Sequence, residues 1–171
     1  YYMDIVTYQY TVNGGGSPTA PTLTGTALGA STIITAPSVA PLTTYLDDGT
    51  TFTLTNPATG STSTERWQAN SGASGSSSAG LAINPTYYHQ FTCTCSYSGT
   101  VASGGAPSYS STAFGAGSVL TMPSVAPATI WSDNAASYTI TKPTADFPSS
   151  TERYQTNTAN GTVSATFTLA P

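Results

Sequence analysis

Residues 79 to 97 read Ala79-Gly80-Leu81-Ala82-Ile83-Asn84-Pro85-Thr86-Tyr87-Tyr88-His89-Gln90-Phe91-Thr92-Cys93-Thr94-Cys95-Ser96-Tyr97. Every second residue from Ala79 to Tyr97 is apolar, aromatic or an imidazole, and most of those between are hydroxyl, amide or small. Strict alternation marks a half-buried strand. Here it outlasts the usual strand of about five or six residues. Pro85 breaks it, because proline cannot donate to a sheet ladder. The stretch is therefore two strands end to end. Ala79 to Asn84 closes one domain and Tyr87 to Tyr97 opens the next.

A repeat surrounds this junction. Pro37-Ser38-Val39-Ala40-Pro41 returns as Pro123-Ser124-Val125-Ala126-Pro127, and Thr26-Ala27-Leu28-Gly29 as Thr112-Ala113-Phe114-Gly115. Thr64-Glu65-Arg66-Trp67-Gln68 returns as Thr151-Glu152-Arg153-Tyr154-Gln155. Self-similarity on this scale means two copies of one domain. Each copy alternates in short segments separated by Gly, Pro, Ser and Asn, which predicts strands and turns. In the first copy the strands fall near Tyr8–Val12, Thr22–Thr26, Ser31–Ala36, Thr43–Leu46, Thr51–Thr55, Thr64–Asn70 and Ser78–Ile83. Seven short strands in about 80 residues match an immunoglobulin-like β-sandwich in count and size. The predicted fold is all-β: a linking strand over 1–12, one sandwich over 8–85 and a second over 86–171.

Only 6% of the 171 residues are charged, against roughly 25% in an ordinary domain. No apolar run approaches the ~20 residues of a spanning helix, so the chain is not expected to span a membrane. A net charge of -4 with three cations, Arg66, Lys142 and Arg153, leaves no basic patch for nucleic acid. Tyr1-Tyr2-Met3 reads as a mature N-terminus after processing.

The two ends complement each other. Val163, Ala165, Phe167 and Leu169 alternate up to Pro171, which matches Pro85. Val6, Tyr8, Tyr10 and Val12 match Tyr87, His89, Phe91 and Cys93 through Gln9 and Gln90. The C-terminus of one molecule followed by the N-terminus of another thus reproduces the internal junction at Pro85, Tyr87, His89 and Phe91. An apolar terminal strand is a liability unless it pairs, and head-to-tail pairing that does not close makes a filament.

The Tyr-Tyr-His-Gln linker (Tyr87 to Gln90), the Ser-Thr-Glu-Arg-Trp element (Ser63 to Trp67) and the Gly/Thr/Ser-rich β segments resemble tandem immunoglobulin-like repeats of archaeal cell-surface proteins. The two-domain layout is similar to subunits of archaeal extracellular threads and pili. The resemblance implies a secreted, glycosylated structural protein whose partners are copies of itself. Val6, Tyr8, Tyr10 and Val12 would be the donor strand completing the next subunit, and Val163, Ala165, Phe167 and Leu169 the acceptor region. The alternative is a stalk, adhesin or carbohydrate-binding repeat of a larger surface protein.

Other residues carry less. Cys93 and Cys95 share a strand face, and two thiols with one distant histidine are too few for a metal; they read as buried thiols. Glu65 and Glu152 repeat in separate domains, which favours a structural ion pair or turn over catalysis. Asp47-Asp48-Gly49 lacks the full ligand spacing of a calcium loop. No catalytic, metal or cofactor site is expected. Tyr45, Trp67, Trp131 and Tyr154 recur as strand aromatics and read as core packing rather than a sugar platform. Lys142, the sole lysine, reads as a surface side chain. Asn160-Gly161-Thr162 is a sequon in a turn, so Asn160 is the expected N-glycosylation site.

Overall fold

A computed structural model describes residues 1–35, 40–97, 106–124, 126–141, 160–165 and 167–169, the last three by backbone alone. Among these residues every regular element is a strand and there is no helix, so none is long and apolar enough to cross a membrane. The chain divides into unit 1, Tyr1–His89, and unit 2, Gln90–Pro171.

Unit 1 contains β1 (Met3–Tyr8), β2 (Thr11–Asn13), β3 (Thr22–Ala27), β4 (Ala30–Thr35), β5 (Leu42–Asp47), β6 (Thr51–Leu54), β7 (Glu65–Ala69), β8 (Ser74–Ser76), β9 (Ala82–Ile83) and the start of β10 (Thr86–Cys95). One sheet has the order β5-β1-β9 and the other β4-β3-β6-β8. β1 runs antiparallel to β5 and parallel to β9. The period-2 pattern decides which side chains face inward: Val6, Tyr8 and Leu46 from the first sheet meet Leu23, Phe52 and Leu54 from the second in one buried cluster. The sheets approach so closely at Gly25 that a Cβ there would lie 2.8 Å from Leu46 Cδ2. Burial of each such large apolar side chain stabilises the unit by about 1.5–3 kcal/mol.

Unit 2 repeats this plan with β11 (Ser108–Ala113), β12 (Ala116–Thr121), β13 (Ala128–Asp133), β14 (Ser137–Thr141), β15 (Gly161–Thr162) and β16 (Phe167–Leu169). Its sheets run β13-β10-β16 and β12-β11-β14-β15. Cys93, Cys95, Tyr109, Met122 and Ile140 form the core, and the Tyr109 hydroxyl lies 2.9 Å from Ser132 Oγ.

Two hairpins share one turn. Leu28 and Gly29 between β3 and β4, and Phe114 and Gly115 between β11 and β12, all have positive φ. That backbone matches the twist of a two-residue hairpin but is strained for Leu and Phe. Asp47 offsets the strain by accepting bonds from the Leu28 and Gly29 amides at 2.9 and 2.7 Å. Asp133 does the same for Phe114 and Gly115. These aspartates anchor the two turns.

The structure changes three expectations. Residues 1–12 are not a free linking strand, because β1 is the middle strand of the first sheet of its own unit, paired on both edges, with Val6 and Tyr8 fully buried. The unit boundary falls after His89, so Thr86 to His89 close unit 1 instead of opening unit 2. The repeat is also offset differently: β10 pairs Gln90 with Asp133 as β1 pairs Met3 with Asp47. Val6 and Tyr8 therefore correspond to Cys93 and Cys95, not to Tyr87 and His89.

Candidate assembly site: the linking strand

β10 leaves unit 1 along a parallel ladder. The amides of Thr7, Gln9 and Thr11 donate to the carbonyls of Leu81, Ile83 and Pro85 at 2.9, 3.1 and 3.1 Å. Thr86, Tyr87 and Tyr88 then register with Thr11, Val12 and Asn13 of β2. Pro85 is buried at this join; its missing N–H costs nothing where its carbonyl is the group in use.

Tyr87 is fully buried in the unit 1 core. Its ring meets Tyr10 edge-on, with centroids 5.9 Å apart at 83°, a favoured aromatic arrangement. Its hydroxyl donates to the Thr55 carbonyl at 2.7 Å, and burial, then the Tyr10 phenol, push its pKa up to about 12.

His89 is held from three sides. Nε2 lies 2.8 Å from Glu65 Oε1 and Nδ1 lies 3.2 Å from the Gly14 carbonyl. The ring stacks on Trp67 at 4.4 Å and 13°, and Trp67 Nε1 donates to the Gly15 carbonyl at 3.0 Å. Gly14, Gly15 and Gly16 all have positive φ, which only glycine adopts freely. The run of glycines is thus a fitted loop presenting carbonyls to His89 and Trp67, and the Glu65 carboxylate is a hydrogen-bond partner of the His89 ring.

Of the donor residues, Val6, Tyr8 and Tyr10 are buried in unit 1 and Val12 packs against the same cluster. Unit 1 itself uses them, so they are not available to a neighbour in this fold. In the acceptor region Val163 is buried, and its amide and carbonyl bond Ala136 and Ala135. Ala165 is exposed. Phe167 and Leu169 register in parallel with Cys93 and Cys95, so the chain's own β10 fills the place foreseen for a foreign strand. In the junction set, Pro85, Tyr87 and His89 come together in unit 1, while Phe91 registers with Ser132 in unit 2.

The Cys93 and Cys95 thiols are free and buried, 3.1 Å apart. The contact with Cys95 and then burial push the Cys93 thiol up, which suppresses the thiolate and its reactivity. Trp67 is core, but Tyr45 is 54% exposed, which corrects its reading as core packing: it faces out opposite Ile5 in the ladder. Asn160 is exposed and its Oδ1 accepts from the Ile140 amide at 3.0 Å. Lys142, Glu152, Arg153 and Tyr154 lie outside the described residues. Among the described residues no group of three or more His, Cys, Asp or Glu side chains gathers as a metal site would require.

No family model and no curated protein matches the chain. Among solved structures it is similar to a leucine-rich repeat protein from Bacteroides thetaiotaomicron, with 11% identity and a TM-score of 0.32 over all of this chain and 26% of that one. The chain thus spans about a quarter of that protein's length, and a likeness at this level carries no argument about fold or function.

Proposed function

We propose that the chain is a structural subunit of an extracellular filament, two immunoglobulin-like β-sandwiches joined head to tail with copies of itself by β-strand addition. One observation carries this reading: β10 serves two units in succession. Thr86–Tyr88 lie along β2 in unit 1, and Gln90–Cys95 take the place in unit 2 that β1 takes in unit 1. By that register Tyr1 and Tyr2 stand where Tyr88 and His89 stand, and they are 87% and 73% exposed. An N-terminal segment added to another copy's unit 2 would repeat the internal junction; the counterparts there of Thr11–Asn13, residues 98–100, lie outside the described residues. The joining residues are then Tyr1 and Tyr2, while Val6 to Val12 remain inside their own unit.

The low charge and the resemblance to archaeal surface repeats support a secreted location, covalent glycan including a sugar on Asn160, and no catalytic role or cofactor. A second reading, a stalk or adhesin repeat of a larger protein, gains from β1 closing its own unit, because copies in one polypeptide would reuse the same junction. Sedimentation of the purified chain over a range of concentrations, with and without Tyr1→Ser and Tyr2→Ser, tests the filament. Mass growth that the double variant abolishes supports it. A wild-type chain that stays monomeric refutes it and leaves the stalk.

A further inference from the structure

We propose that the Leu28 side chain, held out on the strained turn between β3 and β4, is an apolar knob that docks onto a second copy of this chain beside Tyr1 and Tyr2. The inference rests on the filament reading and adds a third contact to its joint. Leu28 has a φ of +54°, in a region that side chains other than Asn and Asp rarely enter. A two-residue turn of this hand takes Asn-Gly or Asp-Gly most readily. Strain of this kind persists where something else uses the residue. Unit 1 does not use the leucyl group. It is 64% exposed, and it belongs neither to the buried core cluster nor to the hydrophobic side chains packed against that cluster. Asp47 holds the turn through the Leu28 and Gly29 amides, a grip that does not involve the leucyl side chain.

The turn stands at the end of unit 1 where β1 begins. A Cβ on Gly29 would fall 2.5 Å from Tyr1 Oη, so the Tyr1 ring lies over the turn. The Asp48 amide, next to Asp47, donates to the Tyr2 carbonyl at 3.0 Å. Leu28, Tyr1 and Tyr2 therefore gather as one exposed apolar patch, the mark of an interaction surface. The hairpin that carries Leu28 has no charged side chain, which suits an apolar partner. The repeat says which partner. Phe114 is the counterpart of Leu28, with φ at +55° and a turn anchored by Asp133. Phe114 belongs to the unit that follows another in the chain and is half-buried, whereas Leu28 belongs to the first unit and is exposed. The occupant matching that difference is a second copy of the chain, set ahead of unit 1.

The test is sedimentation over a range of concentrations for the wild type, Leu28→Asn, Leu28→Gly and, as a control for lost apolar surface elsewhere, Ile33→Thr at a position 69% exposed. Full burial of one leucine corresponds to a change of about tenfold to about a hundredfold in the concentration at which half the chains are assembled. Both Leu28 variants should raise that concentration by such a factor, and Ile33→Thr should leave it in place. Asn tolerates positive φ, so the urea midpoint of unit 1, read from Trp67 in a Trp131→Phe background, should hold or rise in Leu28→Asn. A midpoint that falls would make the side chain part of its own unit and overturn the proposal. Assembly unchanged in the Leu28 variants, or weakened equally by Ile33→Thr, would overturn it while leaving the filament reading intact. A wild type that stops at monomer or dimer would overturn both.

Discussion

Replacing Tyr87 with alanine should destabilise unit 1, although Tyr87 follows the proline that was expected to end it. The side chain is fully buried. Deleting a buried large aromatic costs about 3–5 kcal/mol, from lost transfer energy and the cavity left behind. It also removes the donor from the Thr55 carbonyl, so the loss belongs at the upper end of that range. Each unit has one tryptophan, Trp67 or Trp131, so a Trp131→Phe background reports unit 1 and a Trp67→Phe background reports unit 2. With a urea slope of about 1–2 kcal/mol/M for a unit of this size, the Trp67 midpoint should fall by about 2 M or more. Tyr87→Phe keeps the ring and should cost about 1–2 kcal/mol, for the hydroxyl bond alone. If Tyr87→Ala moved the Trp131 transition and left that of Trp67 in place, the assignment of Thr86–His89 to unit 1 would be wrong.

Three further outcomes follow from the geometry. Asp47→Ala should cost unit 1 about 2–3 kcal/mol and Asp133→Ala the same in unit 2, because each strands two amides of a strained turn; urea unfolding with the two tryptophan reporters would show the effect confined to one unit. Gly15→Ala and Gly16→Ala both incur the positive-φ cost of about 1–2 kcal/mol, but only at Gly16 does the new Cβ fall 2.7 Å from Trp67 Cζ2, so thermal melts should rank Gly16→Ala as the worse and Trp67 emission should shift with it alone. Cys93 and Cys95 should resist a thiol reagent in the native protein and react in urea, and rapid native labelling would contradict their burial.

The strands were legible where the alternation is strict and locally punctuated. Thr22–Thr26 and Ser31–Ala36 were foreseen within a residue of β3 and β4, because threonine alternates with Leu23 and Ile33-Ile34 around the Leu28-Gly29 turn. The offset between Pro37 and Pro123 carried those strands into unit 2. What alternation does not encode is the partner. Val6 and Tyr8 read equally well as a strand for a neighbour or for their own sheet, and only the ladder to β5 decides. The offset at β10 failed for a related reason: Gln9 and Gln90 look like counterparts, but the register runs through Asp47 and Asp133. The His89 cradle was missed because Gly14 and His89 lie 75 positions apart. The positive-φ glycine run and the Glu-Arg-Trp element were its visible signals, and nothing local links them. Tyr45 misled because a recurring strand aromatic does not reveal which face is buried.

The most direct test is negative-stain electron microscopy of the purified chain beside the Tyr1→Ser, Tyr2→Ser double variant. Removing residues 1–12 would instead take β1 out of unit 1 and confuse unfolding with lost assembly. The account predicts unbranched filaments whose axial repeat is one two-unit chain, and folded but dispersed particles for the double variant. Single particles for the wild type, or filaments that the double variant leaves unchanged, would contradict it.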